Sequence, residues 1–382
     1  MKKTQLIKIV QLINNSVKSF SWERLYIATK TLKWSKIEFE FSKKVDYENK
    51  PSRANQEVEV WDIIFAKMQW TRKTLLIWKS EKEYIFSSWF FVLRASKEIL
   101  NEYLFHFLNS ESFLNQKDIN CTWATQKALT LTWLKKIFIP LPPLPQQKQI
   151  IKKLDKLTNL IELRKESIRK TEDLTKSIFI EMFGDPMLNE KGWGIKSLWD
   201  SCNFIKDWPH KSLNYIKKGI PFISVNTIIK WYWDFSNVKY ISKEDYDFYS
   251  KRCKPEYWDI LYTKWGTTWF AKFFDLDIEC LNWVHLAVLK FDKEILNWKF
   301  LESMLNTDFC YIQSQRYTRW IANRDLVLWQ MALIKIIFPP ITLQNKFAEI
   351  VKKNEENIRW QKESLGKLEE LYDSCMQESF NF

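Results

Sequence analysis

Two long, charged segments of the chain carry apolar residues at a helical spacing. The first runs from Gln146 to Phe183, and the second ends at Phe380. Positions that are apolar in both segments recur at steps of four to seven residues, which keeps them near one face of a helix. The pattern predicts two helices of about 38 residues, each roughly 57 Å long. The shared apolar positions, first segment before second, are 150/347, 154/351, 161/358, 168/365, 174/371, 178/375 and 183/380.

Each charged segment follows a strand-rich, aromatic-rich body that ends at a Pro-Pro pair. The bodies repeat each other at an offset of 197 residues: EVWDIIFAK at 59–67 corresponds to EYWDILYTK at 256–264. A repeat of this length has the size of a domain rather than of a solenoid unit. The predicted order is body 1 at 1–143, a long helix at 144–186, body 2 at 187–340 and a second long helix at 341–382.

A single helix this long and this charged buries little apolar surface by itself. The corresponding helix of the other copy is the obvious partner for its apolar stripe. Antiparallel packing would hold the two bodies at opposite ends of a rod, related by a pseudo-twofold axis that matches the pseudo-symmetry of duplex DNA. The alternative is a pair of independent surface helices, one for each body.

Four stretches of sequence resemble a known family. They are WATQKALTLTWLKKIFIPLPP before the first helix, IPLPPLPQQKQIIKKLDKL at its start, IFIEMFGDP at its end and NEKGW before body 2. Together with the duplication, they resemble the DNA specificity subunit of type I restriction-modification systems. Residues 1–25 fit this resemblance poorly.

The resemblance implies an α+β fold, with two homologous mixed α/β target-recognition domains separated by two long antiparallel, coiled-coil-like helices. Each domain would read one half of a bipartite double-stranded DNA target, and the helices would set the distance between the halves. The helices would also be the docking surface for methyltransferase (modification) subunits, and restriction translocase subunits would join that assembly. The chain itself would be a recognition subunit and not an enzyme.

The charge of the chain agrees with an anionic partner. There are 59 Lys and Arg against 46 Asp and Glu, which gives a net charge of +13 and a pI near 9.2. This balance favours nucleic acid, although a merely basic surface would have the same charge. No run of about 18 apolar residues is present to cross a bilayer, and no secretory cleavage site follows the N-terminus, which predicts a cytoplasmic protein with no membrane partner. Six scattered cysteines and three histidines indicate neither a disulfide framework nor a zinc site.

No catalytic constellation is visible in the sequence. There is no GxxxxGK(S/T) phosphate loop, no Asn/Asp-Pro-Pro-aromatic tetrapeptide of an amino-methyltransferase and no glycine-rich methyl-donor loop. The sequence therefore predicts a non-catalytic chain without a cofactor. Two alternatives stay open at this level: a self-contained restriction or modification enzyme, and a two-domain adaptor whose helices bind protein partners.

Basic and amide side chains in polar stretches of both bodies are the candidates for DNA contact. Lysine and arginine can neutralise phosphates, and arginine, glutamine and asparagine can also read base edges. Each of these residues can equally be a solvated loop residue, and recurrence in both copies can also report shared scaffold. The candidates are Lys67, Gln69, Arg72, Lys73, Gln126 and Lys127 in body 1, and Lys264, Thr267, Thr268, Arg316, Arg319, Asn323 and Arg324 in body 2.

Glycine and tryptophan occur in unusual numbers, 6 and 21 of 382 residues. Several tryptophans stand at turn positions that favour glycine, including Trp61 and Trp258, each just before an aspartate. This predicts a gene from a bacterium that reads UGA as glycine, with these tryptophans corresponding to UGA codons. Trp193, between Gly192 and Gly194, matches a tryptophan of the family and is interpreted as genuine. The alternative is a tryptophan-rich surface that stacks on bases.

Overall fold

The computed structural model of the chain describes residues 3–121, 128–229, 233–320 and 323–381. The chain divides into two units: unit 1 comprises 1–166 with 362–382, and unit 2 comprises 167–361. Each unit contains one body together with parts of both long helices. The boundary between the two units falls inside both long helices. The four linear segments expected from the sequence therefore stay a prediction.

Unit 1 is built from short strands with helices between them. Its strands are β1 (Lys3–Gln5), β2 (Val10–Ile13), β3 (Arg24–Ile27), β4 (Leu32–Lys33), β5 (Lys36–Ile37), β6 (Lys43–Val45), β7 (Ala54–Gln56), β8 (Ile63–Ala66), β9 (Thr74–Leu76), β10 (Ile85–Ser87), β11 (Phe90–Ala95) and β12 (Phe138–Pro140). Its helices are α1 (Leu6–Ile9), α2 (Asn101–Leu108), α3 (Glu111–Ile119), α4 (Leu131–Leu134) and the first part of α5 (Leu144–Phe183), with 3₁₀ turns at Thr29–Thr31 and Phe39–Phe41.

Two four-stranded sheets form the body of unit 1, in the orders β6-β3-β10-β7 and β2-β11-β8-β9. Pairing in these two sheets is antiparallel except between β3 and β10. Helices α2 and α3 pack on the second sheet through a core that includes Phe65, Leu104 and Phe113. Both long helices add apolar side chains to this core, Leu154 from α5 and Phe380 from the end of the chain.

Unit 2 follows the same plan. Its strands are β13 (Gly194–Ser197), β14 (Cys202–Lys206), β15 (Ile220–Ile223), β16 (Lys239–Ile241), β17 (Ile260–Thr263), β18 (Ala271–Phe273), β19 (Leu281–Asn282), β20 (Leu286–Phe291), β21 (Arg319–Trp320), β22 (Arg324–Asp325) and β23 (Lys335–Phe338). Its helices are α6 (Leu198–Ser201), α7 (Val225–Ile228), α8 (Lys243–Tyr249), α9 (Trp298–Leu305), α10 (Asp308–Tyr317), α11 (Leu328–Met331) and the first part of α12 (Ile341–Phe380). The larger sheets have the orders β14-β20-β17-β18 and β16-β15-β19.

The duplication predicted from the sequence is visible in the strand register. Ile63 of β8 lies opposite Leu76 of β9, and 197 residues later Ile260 of β17 lies opposite Phe273 of β18. The N-terminal strand β2 corresponds to β14, since both pair antiparallel with the equivalent strands β11 and β20. The offset between β2 and β14 differs from 197 residues because the connection between β2 and β3 in body 1 is shorter than that between β14 and β15 in body 2. Residues 1–25 therefore fit the repeat poorly by sequence although their described part has the same fold.

A buried glutamine fixes the start of each long helix to its own body. Gln147 and Gln344 occupy equivalent positions and are fully buried. Each side chain makes three hydrogen bonds of 2.8–3.3 Å with backbone groups, donating to two oxygens and accepting from one N–H. The partners are the oxygens of Glu98 and Pro142 and the N–H of Leu100 for Gln147, and the oxygens of Ile295 and Pro339 and the N–H of Asn297 for Gln344.

The predicted antiparallel pairing of the long helices is confirmed in unit 1. Lys153 lies 3.5 Å from Glu378, and further along α5 Lys165 lies 2.9 Å from Glu369. The partner position on α12 thus moves backwards as the position on α5 moves forwards. These pairs are exposed and contribute little energy, so the apolar stripe between the helices is what holds them together.

Unit 2 has the same antiparallel pairing, with a polar layer inside it. Asn354 donates to the hydroxyl of Thr175 at 2.9 Å, and Gln361 donates to the hydroxyl of Thr171 at 3.1 Å. Both amide side chains are buried. Buried amides between paired helices favour one register, because any slip leaves them without hydrogen-bond partners.

Each body also receives the end of the other copy's helix. Phe183 at the end of α5 packs in unit 2 against Phe300, with ring centroids 4.8 Å apart. Its counterpart Phe380 at the end of α12 packs in unit 1 against Tyr103, at 5.2 Å. Tyr103 and Phe300 are themselves counterparts. Each unit therefore contains the end of the long helix that follows the other body in the chain.

Candidate nucleic-acid interface

The candidate lysines of body 1 lie on the β8–β9 loop and are bonded within the protein. Lys67 donates to the backbone oxygen of Ser88 at 2.7 Å, and Lys73 donates to that of Thr29 at 2.6 Å. Burial lowers the pKa of both ammonium groups. Both side chains are half-buried rather than extended into solvent.

Gln69 and Arg72 fasten the same loop to α3. Gln69 donates to the backbone oxygen of Asp118 at 2.9 Å, and the Arg72 guanidinium pairs with Glu111 at the surface. Lys117, buried on the same helix, donates to backbone oxygens of the loop, and burial lowers its pKa. Arg72 is the candidate of this loop with an exposed charge, because its ion pair with Glu111 is open to solvent.

Lys264, the counterpart of Lys67, is buried in a cluster of charges. Its Nζ lies 3.1 Å from Asp207 Oδ2 and 3.7 Å from Asp325 Oδ1. Thr268 is fully buried, and its hydroxyl accepts from that of Thr318 at 2.9 Å. Lys264 and Thr268 therefore make their polar contacts inside body 2, whereas Thr267 is only half-buried.

The structure brings the two candidate sets of body 2 together. The backbone N–H of Leu326 donates to the oxygen of Lys264 at 2.8 Å, and that of Gly266 donates to the oxygen of Arg324 at 2.9 Å. The loop after β17 therefore lies against the hairpin formed by β21 and β22. Four candidate side chains are exposed on this hairpin and the preceding α10, and we call them the arginine hairpin surface: Arg316, Arg319, Asn323 and Arg324.

The contact between the loop after the central strand and the segment near the second candidate set also occurs in body 1, within the described residues. The backbone N–H of Leu129 donates to the oxygen of Lys67 at 2.8 Å, the counterpart of the bond between Leu326 and Lys264. Gln126 and Lys127 lie outside the described residues. The loop of 67–73 nevertheless holds the same place relative to 128–129 as its counterpart holds in body 2.

Body 2 also contains a cavity of about 680 Å³ that no sequence motif marks. Its lining mixes hydroxyl, amide, aromatic and basic groups, among them Tyr215, Asn226, Asn237, Lys239 and His285. Burial, and secondarily the charge of Lys264, lowers the pKa of His285. Pairing of β15 with both β16 and β19 brings these distant segments together. The spacing of the lining residues along the sequence therefore did not indicate a cavity.

Two other kinds of site are absent from the ranges that the structure describes. No group of three or more His, Cys, Asp or Glu is arranged there to hold a metal ion. None of the helices in those ranges is long and apolar enough to cross a bilayer.

Two copies of one α/β body, each packed against parts of two long helices, define a duplicated two-domain fold. Residues 62–172 match the family described as Type I restriction modification DNA specificity domain. The match covers the second half of body 1 and the start of the first long helix, so the similarity in sequence is to a DNA specificity domain over this part of the chain. The resemblance predicted from the sequence is therefore confirmed.

Two solved structures share the fold over nearly the whole chain. One was determined in work titled "Structural basis underlying complex assembly and conformational transition of the type I R-M system"; its TM-score is 0.62 at 20% identity, over 99% of this chain and 97% of that one. The other is the type I restriction-modification S subunit from M. genitalium, with a TM-score of 0.59 at 14% identity, over 100% of this chain and 96% of that one. These similarities confirm the predicted α+β fold with two bodies and long helices. No match was found among curated proteins.

Proposed function

We propose that the chain reads a bipartite double-stranded DNA target, one half-site per body, and directs methyltransferase and restriction subunits to it in the cytoplasm. The observation that carries this proposal is a duplicated scaffold with unequal loops. Gln147 and Gln344 make the same contacts, whereas Lys67 bonds a backbone oxygen and Lys264 lies in an ion-pair cluster. A common framework with different loops suits two bodies that recognise different bases.

The arginine hairpin surface is the part of body 2 best suited to DNA. Arginine can pair with two acceptors of guanine in the major groove or with a phosphate, and asparagine can pair with adenine. Its side chains are exposed on a narrow hairpin and one helix, elements that can enter a groove. In body 1 we assign the corresponding role to Arg72, whose charge is exposed, with Gln126 and Lys127 as further candidates.

Replacing both Arg319 and Arg324 with alanine is expected to weaken DNA binding and its salt dependence. For each phosphate that the protein no longer neutralises, the slope of log K against log salt concentration falls in magnitude by about 0.9. Removal of a base-reading side chain instead relaxes base preference in one half-site only. The measurements are binding titrations at several salt concentrations and selection from random duplex pools, using the full chain with its methyltransferase partner.

Lys251→Ala is the matched control, because it removes one positive charge from an exposed position of the same body. It should leave the half-site preference unchanged. An unaltered slope together with unaltered preference in the double arginine variant would refute a DNA-reading role for the hairpin. Altered preference in both half-sites would contradict independent reading by the two bodies.

We further propose that the long helices are the docking surface for the methyltransferase subunits. In unit 1, Leu160, Leu163 and Leu371 are 38%, 58% and 49% exposed although they belong to helices that bury an apolar stripe. Large exposed leucines on a charged helix are typical of a protein-binding surface. Leu163 and Leu160 are three residues apart and so lie on neighbouring positions of one face.

Changing Leu160 and Leu163 to serine is expected to reduce co-purification with the methyltransferase subunit several-fold. The reason is that two apolar side chains are removed from the proposed interface while the helix pair keeps its buried stripe. Asn159→Ser is the control on the same exposed stretch of helix. Full co-purification of the leucine variant, with unchanged helical content, would exclude this face as the docking site.

A further inference from the structure

Four tryptophans have backbone conformations that residues with a side chain rarely adopt. Their φ angles are positive: 54° at Trp34, 74° at Trp61, 59° at Trp70 and 87° at Trp258. At such angles the β-carbon of an L-residue crowds the following carbonyl oxygen. Among the other non-glycine residues that the structure describes, Asn189 alone shares this region, and asparagine can offset the strain by bonding to its local backbone.

Trp61 and Trp258 are counterparts in the two copies and occupy the same turn. In both, the N–H of the following aspartate donates to the backbone oxygen three residues earlier, at 3.1 Å in body 1 and 3.0 Å in body 2. A turn with this hydrogen bond and a positive φ only at its third residue is of type II, which favours glycine at that place. Both copies therefore build a glycine-type turn around a tryptophan.

The indole rings at these positions add little to the cores. Trp70 is 81% exposed and Trp34 is 62% exposed, and the rings of Trp61 and Trp258 are also partly in solvent. No tryptophan whose side chain is described is among the buried residues. Of the four rings, that of Trp258 touches a core residue, Phe273, with ring centroids 5.7 Å apart, and replacement by hydrogen there would remove one contact at the edge of the core.

We propose that the codons for Trp34, Trp61, Trp70 and Trp258 are UGA and that the producing cell inserts glycine at them. Glycine adopts positive φ without steric cost, as Gly184, Gly192 and Gly266 do in this chain. The proposal explains the placement of these tryptophans in turns, and it changes the low glycine count and the high tryptophan count in the right direction. It does not depend on the proposed DNA-binding function.

Peptide mass spectrometry of the chain isolated from its own cells tests the proposal. Trypsin releases 54–67 with Trp61, 68–72 with Trp70, 253–264 with Trp258 and, as an internal control, 192–196 with Trp193. The first three peptides should each be lighter by the difference between an indole side chain and a hydrogen atom, whereas 192–196 should contain tryptophan. Tryptophan in the peptides 54–67 and 253–264, or UGG codons there, would overturn the proposal.

Thermal unfolding provides a second test that does not need the native cells. Recombinant chain with glycine at the four positions should unfold at a higher temperature than the tryptophan form, by about 2–4 °C for each relieved position. Trp193→Gly is the control and should lower the midpoint, because Trp193 Nε1 donates to the backbone oxygen of Phe183 at 2.8 Å. A lower midpoint for the four-glycine form, or loss of its DNA binding, would overturn the proposal. It would show that the tryptophan side chains themselves contribute to folding or to binding.

Discussion

Lys264→Ala is expected to reduce the free energy of unfolding of unit 2 by about 3–5 kcal/mol, because removing one partner of a buried ion pair leaves its carboxylates uncompensated. Asp207 is buried, and its Oδ2 lies 3.1 Å from the Lys264 ammonium. Asp325 loses the same cation. Urea unfolding of the full chain, followed by fluorescence and far-UV circular dichroism, measures the loss.

This variant separates a scaffold role from a DNA-contact role for Lys264. Lys251→Ala removes an exposed lysine of the same body and should change stability by less than about 0.5 kcal/mol. If Lys264→Ala kept normal stability and only weakened DNA binding, the lysine would be a DNA contact whose ion pairs open on binding. The expected result is the reverse, with the folded fraction reduced and the hairpin arginines still responsible for DNA binding.

The second large effect is expected at the ends of the long helices. Phe183→Ala and Phe380→Ala should each destabilise the unit that receives the ring by about 3–5 kcal/mol, through loss of burial and creation of a cavity. Both side chains are fully buried. Phe183 contacts Phe300 and Phe347, with ring centroids 4.8 and 5.3 Å away. Because the copies exchange helix ends, Phe183→Ala should destabilise unit 2 although body 1 precedes its helix in the chain.

Differential hydrogen exchange of the two units distinguishes this exchange from simple helix fraying. Phe183→Ala should increase exchange in β17 and α9, and Phe380→Ala should increase it in α2. Ile180→Ala and Leu371→Ala are the controls, since these residues lie on the same helices with about half of each side chain exposed. Increased exchange confined to the helix that bears the substitution would show that the helix ends do not support the bodies.

The long helices and the duplication could be predicted from the sequence because both depend on local or self-similar patterns. Apolar spacing fixes which face of a helix is buried, and the repeat shows the same spacing twice. The helices span Leu144–Phe183 and Ile341–Phe380, close to the expected bounds. The N-terminal strand was obscured because a change in connection length shifts the offset while leaving the strand's place in the sheet unchanged.

The candidate interface was less accessible to sequence reasoning. Lys67 and Lys264 stand at equivalent positions in nearly the same nonamer, yet Lys67 bonds a backbone oxygen and Lys264 is enclosed by Asp207 and Asp325. The two aspartates lie 57 residues before and 61 residues after Lys264 in the chain. No local pattern reports such a cluster, because it forms only when sheet, loop and hairpin pack together.

By itself, the sequence determined the two long helices, the tandem copies and the resemblance to a known family, since these follow from periodicity and from comparing the chain with itself and with known motifs. The predicted apolar stripe was wrong at one pair of positions, because Leu174 and Leu371 are 47% and 49% exposed. Two of the four strained tryptophans, Trp61 and Trp258, were also anticipated there, because turn chemistry is local. Only the tertiary structure decided which basic side chains are neutralised inside a body and which are exposed on the arginine hairpin surface. It also decided which body each helix end supports. Burial and ion pairing depend on partners that are distant in sequence, and residue type alone does not specify them.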